Sequence, residues 1–217
     1  MIMDHETKMM MMKIAFEADN KKAGKGKIVF VGDSLTAYCD HYTFYEGMPT
    51  VNRGIGGDLL RDLPDRMACS VYDLEPSAIV FLMGLNDLNF NSVTVEDMGK
   101  MYDAIFADWA ERYPTIPILV QSLYPLRFES DDPRHFPIKN RVMEKIPEVN
   151  GVLQVLCARY GLRYLDMFTL LSEEGQLKEE YSLDGAHVNN TAYAVISDTI
   201  KKALREEFSQ NIDRRKQ

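Results

Sequence analysis

Cysteine is scarce in this chain, and its three residues, Cys39, Cys69 and Cys157, are odd in number and far apart. No Cys-x-x-Cys pair occurs, so neither a disulfide framework nor a zinc site is suggested, and a reducing compartment is expected. Excess positive charge is missing too: 25 Lys and Arg stand against 33 Asp and Glu, a net charge of −8. With a pI of about 5.1, nucleic acid is disfavoured as a partner. The basic run Arg214-Arg215-Lys216 reads as part of a solvated polar tail over 209–217. No apolar stretch reaches the length of a membrane span. The methionines at 9–12 are bracketed by Lys8 and Lys13, with no secretory apolar region or small-residue cleavage site. A soluble, cytoplasmic protein is expected. His41 and His135 lack Cys, His or carboxylate companions at metal-ligand spacing, so no metal and no cofactor are expected. Cys39 lies near His41, but nothing beside them would orient the ring, and they are not read as a thiol–base pair.

What remains is ordinary globular composition, 46% hydrophobic and 27% charged over 217 residues, enough for one domain with a full core. Repeats and composition breaks are absent, and a single domain over 1–217 is expected. A helical leader and a polar hinge occupy 1–26. Strand-like runs lie at 27–31, 49–52, 78–83, 116–122 and 163–167. Between them the clearest helix spans 94–112, where Met98, Met101, Tyr102, Ile105, Phe106 and Trp109 recur at helical spacing behind a Thr94/Asp97 start. Others are expected at 147–160, with Pro147 in the first turn, and at 190–208. A helix after Gly57 is harder to place, because Pro64 should delay or kink it. Strands alternating with helices imply βαβ units, a parallel sheet and a three-layer α/β/α sandwich.

In such a fold, ligand sites form on loops leaving the C-terminal strand ends. Four loops carry small polar clusters: Gly32-Asp33-Ser34-Leu35, Asn52-Arg53-Gly54-Ile55-Gly56-Gly57-Asp58, Gly84-Leu85-Asn86-Asp87 and Asp184-Gly185-Ala186-His187. Ser34 is a candidate nucleophile, but a hydroxyl attacks poorly unless a base takes its proton. Asp184 and His187 are three residues apart, so the carboxylate can accept from one ring nitrogen and leave the other to act as base. A tetrahedral oxyanion needs donors placed beforehand. The Gly57 N–H, the Asn86 side chain and the Ser34 N–H are the candidates. Asp33, Asp58 and Asp87 read as supporting residues that brace turns and helix starts.

These four blocks, in this order, resemble those of the GDSL (or SGNH) hydrolase superfamily, and the resemblance spans 28 to about 205. It implies a flavodoxin-like five-stranded sheet of order 2-1-3-4-5 and a metal-free esterase, acylhydrolase or lysophospholipase activity on a small-molecule ester. The branch it looks most like is that of platelet-activating-factor acetylhydrolase-like and lysophospholipase-like esterases; a carbohydrate O-acetyl esterase is the alternative within the superfamily. By the resemblance, Ser34 is similar to the nucleophile, Gly57 and Asn86 to oxyanion donors, and Asp184 and His187 to the rest of the triad. Leu85 stands where the family commonly has threonine, and the Met-rich leader has no family counterpart. Outside the superfamily, an α/β-hydrolase would need glycine where Thr36 stands. A flavodoxin-like non-catalytic binder would not call for an Asp-x-x-His loop. Oligomeric state is left open, a homodimer being one option. The aromatics of 38–45 could wall an acyl pocket or pack the first helix. The loop over 124–137, with Arg127, Arg134, His135 and Phe136, is long enough to shape substrate choice, and anion recognition by its arginines is one expectation.

Overall fold

The computed structural model describes residues 4–90, 93–128 and 140–214. Five parallel strands form the sheet: β1 Ile28–Gly32, β2 Thr50–Gly54, β3 Ala78–Leu82, β4 Ile118–Gln121 and β5 Arg163–Leu165, in the order β2-β1-β3-β4-β5. Every residue of β1, β3 and β4 is buried, as expected for continuous apolar runs in a parallel sheet covered on both faces. The expected sandwich and its strand order are therefore present.

In chain order the helices are α1 His5–Ala23, the short α2 Ser34–Ala37 and α3 His41–Phe44, α4 Leu63–Ser70, α5 Leu85–Phe90, α6 Val95–Arg112, α7 Asn140–Tyr160, α8 Met167–Leu171 and α9 Asn190–Arg214. Helix α6 starts as its sequence suggests: Thr94 Oγ1 accepts from the Asp97 N–H at 3.1 Å and donates to the Asp97 carboxylate at 2.6 Å. Its stripe of Met98, Tyr102, Ile105, Phe106 and Trp109 is buried against the core. Pro64 sits in the first turn of α4, where its missing N–H costs nothing.

Three boundaries differ from expectation. Helix α7 begins at Asn140, leaving Pro147 in its interior. The buried stripe Val142, Ile146, Val149, Leu153, Leu156 continues across the proline, and this burial outweighs one lost backbone bond. Helix α9 continues to Arg214 rather than giving way to a tail at 209, because 205–214 contains neither Gly nor Pro to stop it. The leader helix likewise runs through Lys21 and Lys22 and ends at Gly24, whose φ is 72°. A hairpin not expected from the sequence, β6 Ser172–Glu173 with β7 Gln176–Leu177, turns on Glu174 and Gly175. Both turn residues have positive φ, 51° and 79°, the signature of a type I′ turn. Among the described residues no helix is long and apolar enough to cross a membrane.

Helix α1 docks firmly. Phe16 packs with Ile55 and Cys69. The buried Arg53 guanidinium lies 4.7 Å over the Phe16 ring and donates to Asp19 at 2.8 Å and Asn20 at 2.6 Å. The His5 ring meets Asp62 at 2.7 Å. These contacts set the helix across the segment that follows β2.

Candidate active site

Strand register brings the polar loops to one edge. Gly32, the last residue of β1, pairs with Gly54 of β2 and Leu82 of β3, so the loops after all three strands open side by side. Gly32 is required there: a Cβ on it would stand 2.3 Å from the Leu82 carbonyl oxygen and 2.1 Å from Thr36 Oγ1. The chain then turns directly into α2. The Asp33 side chain accepts from the Leu35 N–H at 3.0 Å, and Ser34 occupies the first helical position.

The loop before α9 delivers the other two groups. One Asp184 carboxylate oxygen accepts from the backbone N–H of Ala186 at 3.1 Å and of His187 at 2.7 Å. The other accepts from His187 Nδ1 at 2.7 Å. Burial alone would raise the Asp184 carboxyl; the hydrogen bonds from the His187 backbone and ring and from Ala186 outweigh it and hold it below its ordinary value. An ionised carboxylate only accepts, so the ring proton belongs on Nδ1. His187 Nε2 then faces the Ser34 hydroxyl at 3.0 Å with a lone pair ready for its proton. This continuous chain from carboxylate to ring to hydroxyl is the arrangement that activates a serine.

Gly57 and Asn86 line the same cavity as Ser34. Asn86 Nδ2 gives one hydrogen to the Asp58 carbonyl at 3.0 Å, which orients the amide and leaves its second hydrogen. Behind them, three buried carboxylates brace the loops. Asp58 is fully buried and paired with Arg66, at 2.7 Å to Nε and 2.6 Å to a terminal nitrogen. Burial lifts this carboxyl above its ordinary value and the guanidinium pulls it back. Arg66 also donates to the carbonyls of Gly32 at 3.1 Å and Arg53 at 3.0 Å, tying the ends of β1 and β2 together. Asp87 accepts from the Leu60 N–H at 3.1 to 3.2 Å, and burial pushes it up to about 6.

Burial likewise pushes Asp33 up to about 7; the Leu35 N–H opposes this, and the nearby Asp58 and Asp87 add to it. A folded-state value above the unfolded one means the native state holds the proton more tightly. The stabilising contribution is full below about pH 4 and is lost as pH rises toward about 7. Urea unfolding of Asp33→Asn and the unaltered protein at pH 5 and pH 8 should therefore show the variant gaining about 2 kcal/mol relative to it at the higher pH. A difference that does not change with pH would remove Asp33 as the titrating group.

The cavity has a volume of about 290 Å³ and is lined by Lys8, Ser34, Tyr38, Gly56, Gly57, Leu85, Asn86, Asn89, Leu126 and His187 among others. Leu85, the departure from the family pattern, is thus part of its wall. The aromatic segment divides its roles. Tyr38 lines the cavity with its ring 5.3 Å from that of His187, whereas Tyr45 is buried against Phe30 and His41. His41 is half-buried against Phe30 and Tyr45, bonded to Thr50 at 3.0 Å, and burial lowers it to about 4. Burial raises the Cys39 thiol to about 12, so the two make no thiolate–imidazolium pair. Arg127 is engaged with the Leu177 carbonyl at 3.3 Å and Glu179 at 3.4 Å; Arg134, His135 and Phe136 lie outside the described residues. The sequence does not single out Lys8, Asn89, Leu126 or Arg66. Only Arg66 leaves a signal, since a buried Asp58 demands a cationic partner.

The chain matches the model of the GDSL-like Lipase/Acylhydrolase family over residues 30–195. No curated protein matches it. Among solved structures, it is similar to a Streptococcus pneumonia protein put forward as a platelet activating factor, at 26% identity and a TM-score of 0.82, over 91% of this chain and 92% of that one. A GDSL-like lipase from Bacteroides thetaiotaomicron superposes with a TM-score of 0.75 at 21% identity, over 89% and 97% of the two chains. Axe2, an acetylxylan esterase from Geobacillus stearothermophilus, shares the fold at 16% identity and a TM-score of 0.62, over 84% and 96%.

Proposed function

The chain belongs to the GDSL-like lipase/acylhydrolase family, and we propose that it hydrolyses carboxylic esters of small molecules through an acyl-Ser34 intermediate. The observation that carries this reading is the chain from Asp184 through His187 to Ser34, at 2.7 and 3.0 Å, opening on one cavity. Ser34 Oγ gives its proton to His187 Nε2 as it bonds to the carbonyl carbon, and Asp184 stabilises the imidazolium. The new oxyanion accepts from the N–H groups of Ser34 and Gly57 and from Asn86 Nδ2. The intermediate collapses as His187 returns the proton to the leaving alcohol. Water, deprotonated by the same ring, then attacks the acyl-Ser34 carbonyl; collapse breaks the bond to Ser34 Oγ, which takes the proton back from His187 as the acid leaves.

Asn86→Ala should lower kcat about 10²–10³-fold with little change in KM, the cost of one oxyanion donor. A loss below threefold in steady-state hydrolysis would take Asn86 out of the mechanism.

The cavity, about 290 Å³, is at the small end for ligand sites and supports a short acyl group. Hydrolysis of p-nitrophenyl esters from acetate to decanoate, with acetylated sugars and lysophospholipids beside them, tests both parts of the reading. Activity should peak between acetate and butyrate. A maximum at long chains would contradict the short acyl group, and no hydrolysis of any ester would contradict the esterase.

A further inference from the structure

We infer that Lys8, on the leader helix, is a positioning residue for the oxyanion hole: its ammonium holds and polarises the Gly56–Gly57 peptide, whose N–H faces the oxyanion. The inference rests on the role proposed above for Gly57. Lys8 Nζ donates to the Gly56 carbonyl oxygen, and that carbonyl and the Gly57 N–H are the two ends of one planar peptide unit. A cation bonded at the oxygen draws electron density from the unit and strengthens its N–H as a donor.

Orientation of the peptide contributes more than its polarisation. The Asp58 N–H bonds back to the Ile55 carbonyl at 3.1 Å, so Ile55 to Asp58 is a β-turn with glycine at both central positions. Gly57 has φ 78°, the value of the third residue in a type II turn; a type I turn needs about −90° there, and the two differ by a flip of the central peptide. Two glycines permit either form, since neither has a side chain to favour one. In the flipped form a carbonyl oxygen would stand where the N–H is needed. The ammonium on Gly56 favours the productive form.

The placement of Lys8 fits this role. A Cβ built on Gly56 would lie 3.5 Å from Lys8 Nζ and 3.8 Å from Ser34 Cβ, so the charge stands one side chain's width from the nucleophile. Among the described residues no carboxylate pairs with Lys8. Its helix is fixed on either side of it, by His5 with Asp62 at 2.7 Å and by Arg53 with Asp19 at 2.8 Å.

The test compares full-length Lys8→Met and Lys8→Arg with the unaltered protein on neutral and carboxylate-bearing p-nitrophenyl esters. Losing an oxyanion donor outright costs about 10²–10³ in kcat; here the donor stays but is weaker and less often aligned, so Lys8→Met should lose about 10-fold. KM should stay within about twofold, the loss should be equal for both esters, and Lys8→Arg should recover most of it. Three results would overturn the inference: an unchanged kcat in Lys8→Met; a KM rise confined to the anionic ester; or an equal loss in both variants with a lowered melting temperature. If Lys8→Met folds poorly, Lys8→Gln, which keeps a donor, replaces it: a partial loss of kcat is expected and the unaltered rate overturns the inference. An unaltered protein without esterase activity would sink the proposed function itself, which keeps the two failures apart.

Discussion

Replacing Ser34 with alanine is expected to lower kcat for ester hydrolysis by about 10⁶-fold, with the fold and KM unchanged. The substitution deletes the attacking oxygen and nothing that holds the site. Asp33 still caps the Leu35 N–H, Tyr193 still bonds the Leu35 carbonyl, and the strand-end loops remain laced through Arg66. His187→Ala should cost about as much, since among the described residues the Ser34 hydroxyl, 3.0 Å from the ring, has no other base in place. Nucleophile and base act as one unit, so the double variant should be no slower than either single one. Saturation kinetics with circular dichroism on the three proteins would check this. Losses that multiply would mean that the two groups work separately.

Asp184→Asn is expected to reduce kcat by about 10⁴-fold, through the tautomer rather than the geometry. In the native loop one carboxylate oxygen holds the Ala186 and His187 N–H groups and the other faces His187 Nδ1. Asparagine can keep the first set only by leaving its oxygen there, which turns its NH₂ toward the ring. Nδ1 must then accept, the ring proton moves to Nε2, and the nitrogen facing Ser34 can no longer take a proton. The loop should keep its shape, so binding should survive the loss of turnover. A decrease below tenfold, measured as kcat on p-nitrophenyl acetate, would remove Asp184 from the proton path.

The sheet and its functional edge were legible because their causes are local. Apolar runs such as Ile28 to Val31 and Ala78 to Leu82 are buried on both faces and read directly as strands of a parallel sheet. Glycine at Gly32 marks the close approach where β1 passes into α2. The Asp184–His187 bond is also local, since three residues of one turn suffice to form it. What stayed hidden depends on distance or on tertiary burial. Arg66 lies in an ordinary helical stretch, and only the folded chain shows it buried against Asp58, Gly32 and Arg53. Lys8 meets Gly56 across 48 positions of sequence. Pro147 pointed to a helix start because its local preference is for a first turn, yet the buried stripe from Val142 to Leu156 carries α7 through it. The hairpin at Ser172–Leu177 had a readable signal in Glu174-Gly175, but strands of two residues leave no alternation to detect.

The Arg66 and Lys8 contacts give one physical picture. Two of the candidate loops are held by cations from elsewhere in the chain: Arg66 from α4 bonds the Gly32 and Arg53 carbonyls and Asp58, and Lys8 from α1 bonds the Gly56 carbonyl. The carboxylates of Asp33, Asp58 and Asp87 are buried in that support, apart from the proposed proton path through Asp184, His187 and Ser34.

The central claim, that Ser34 is a nucleophile activated by His187, is tested most directly by treating the folded protein with a fluorophosphonate and locating the adduct by mass spectrometry. One adduct per chain, on Ser34, formed by the native protein and not by the urea-unfolded protein or by His187→Ala, is the expected result. No adduct on the native protein, or an adduct on another residue with Ser34 unmodified, would contradict it.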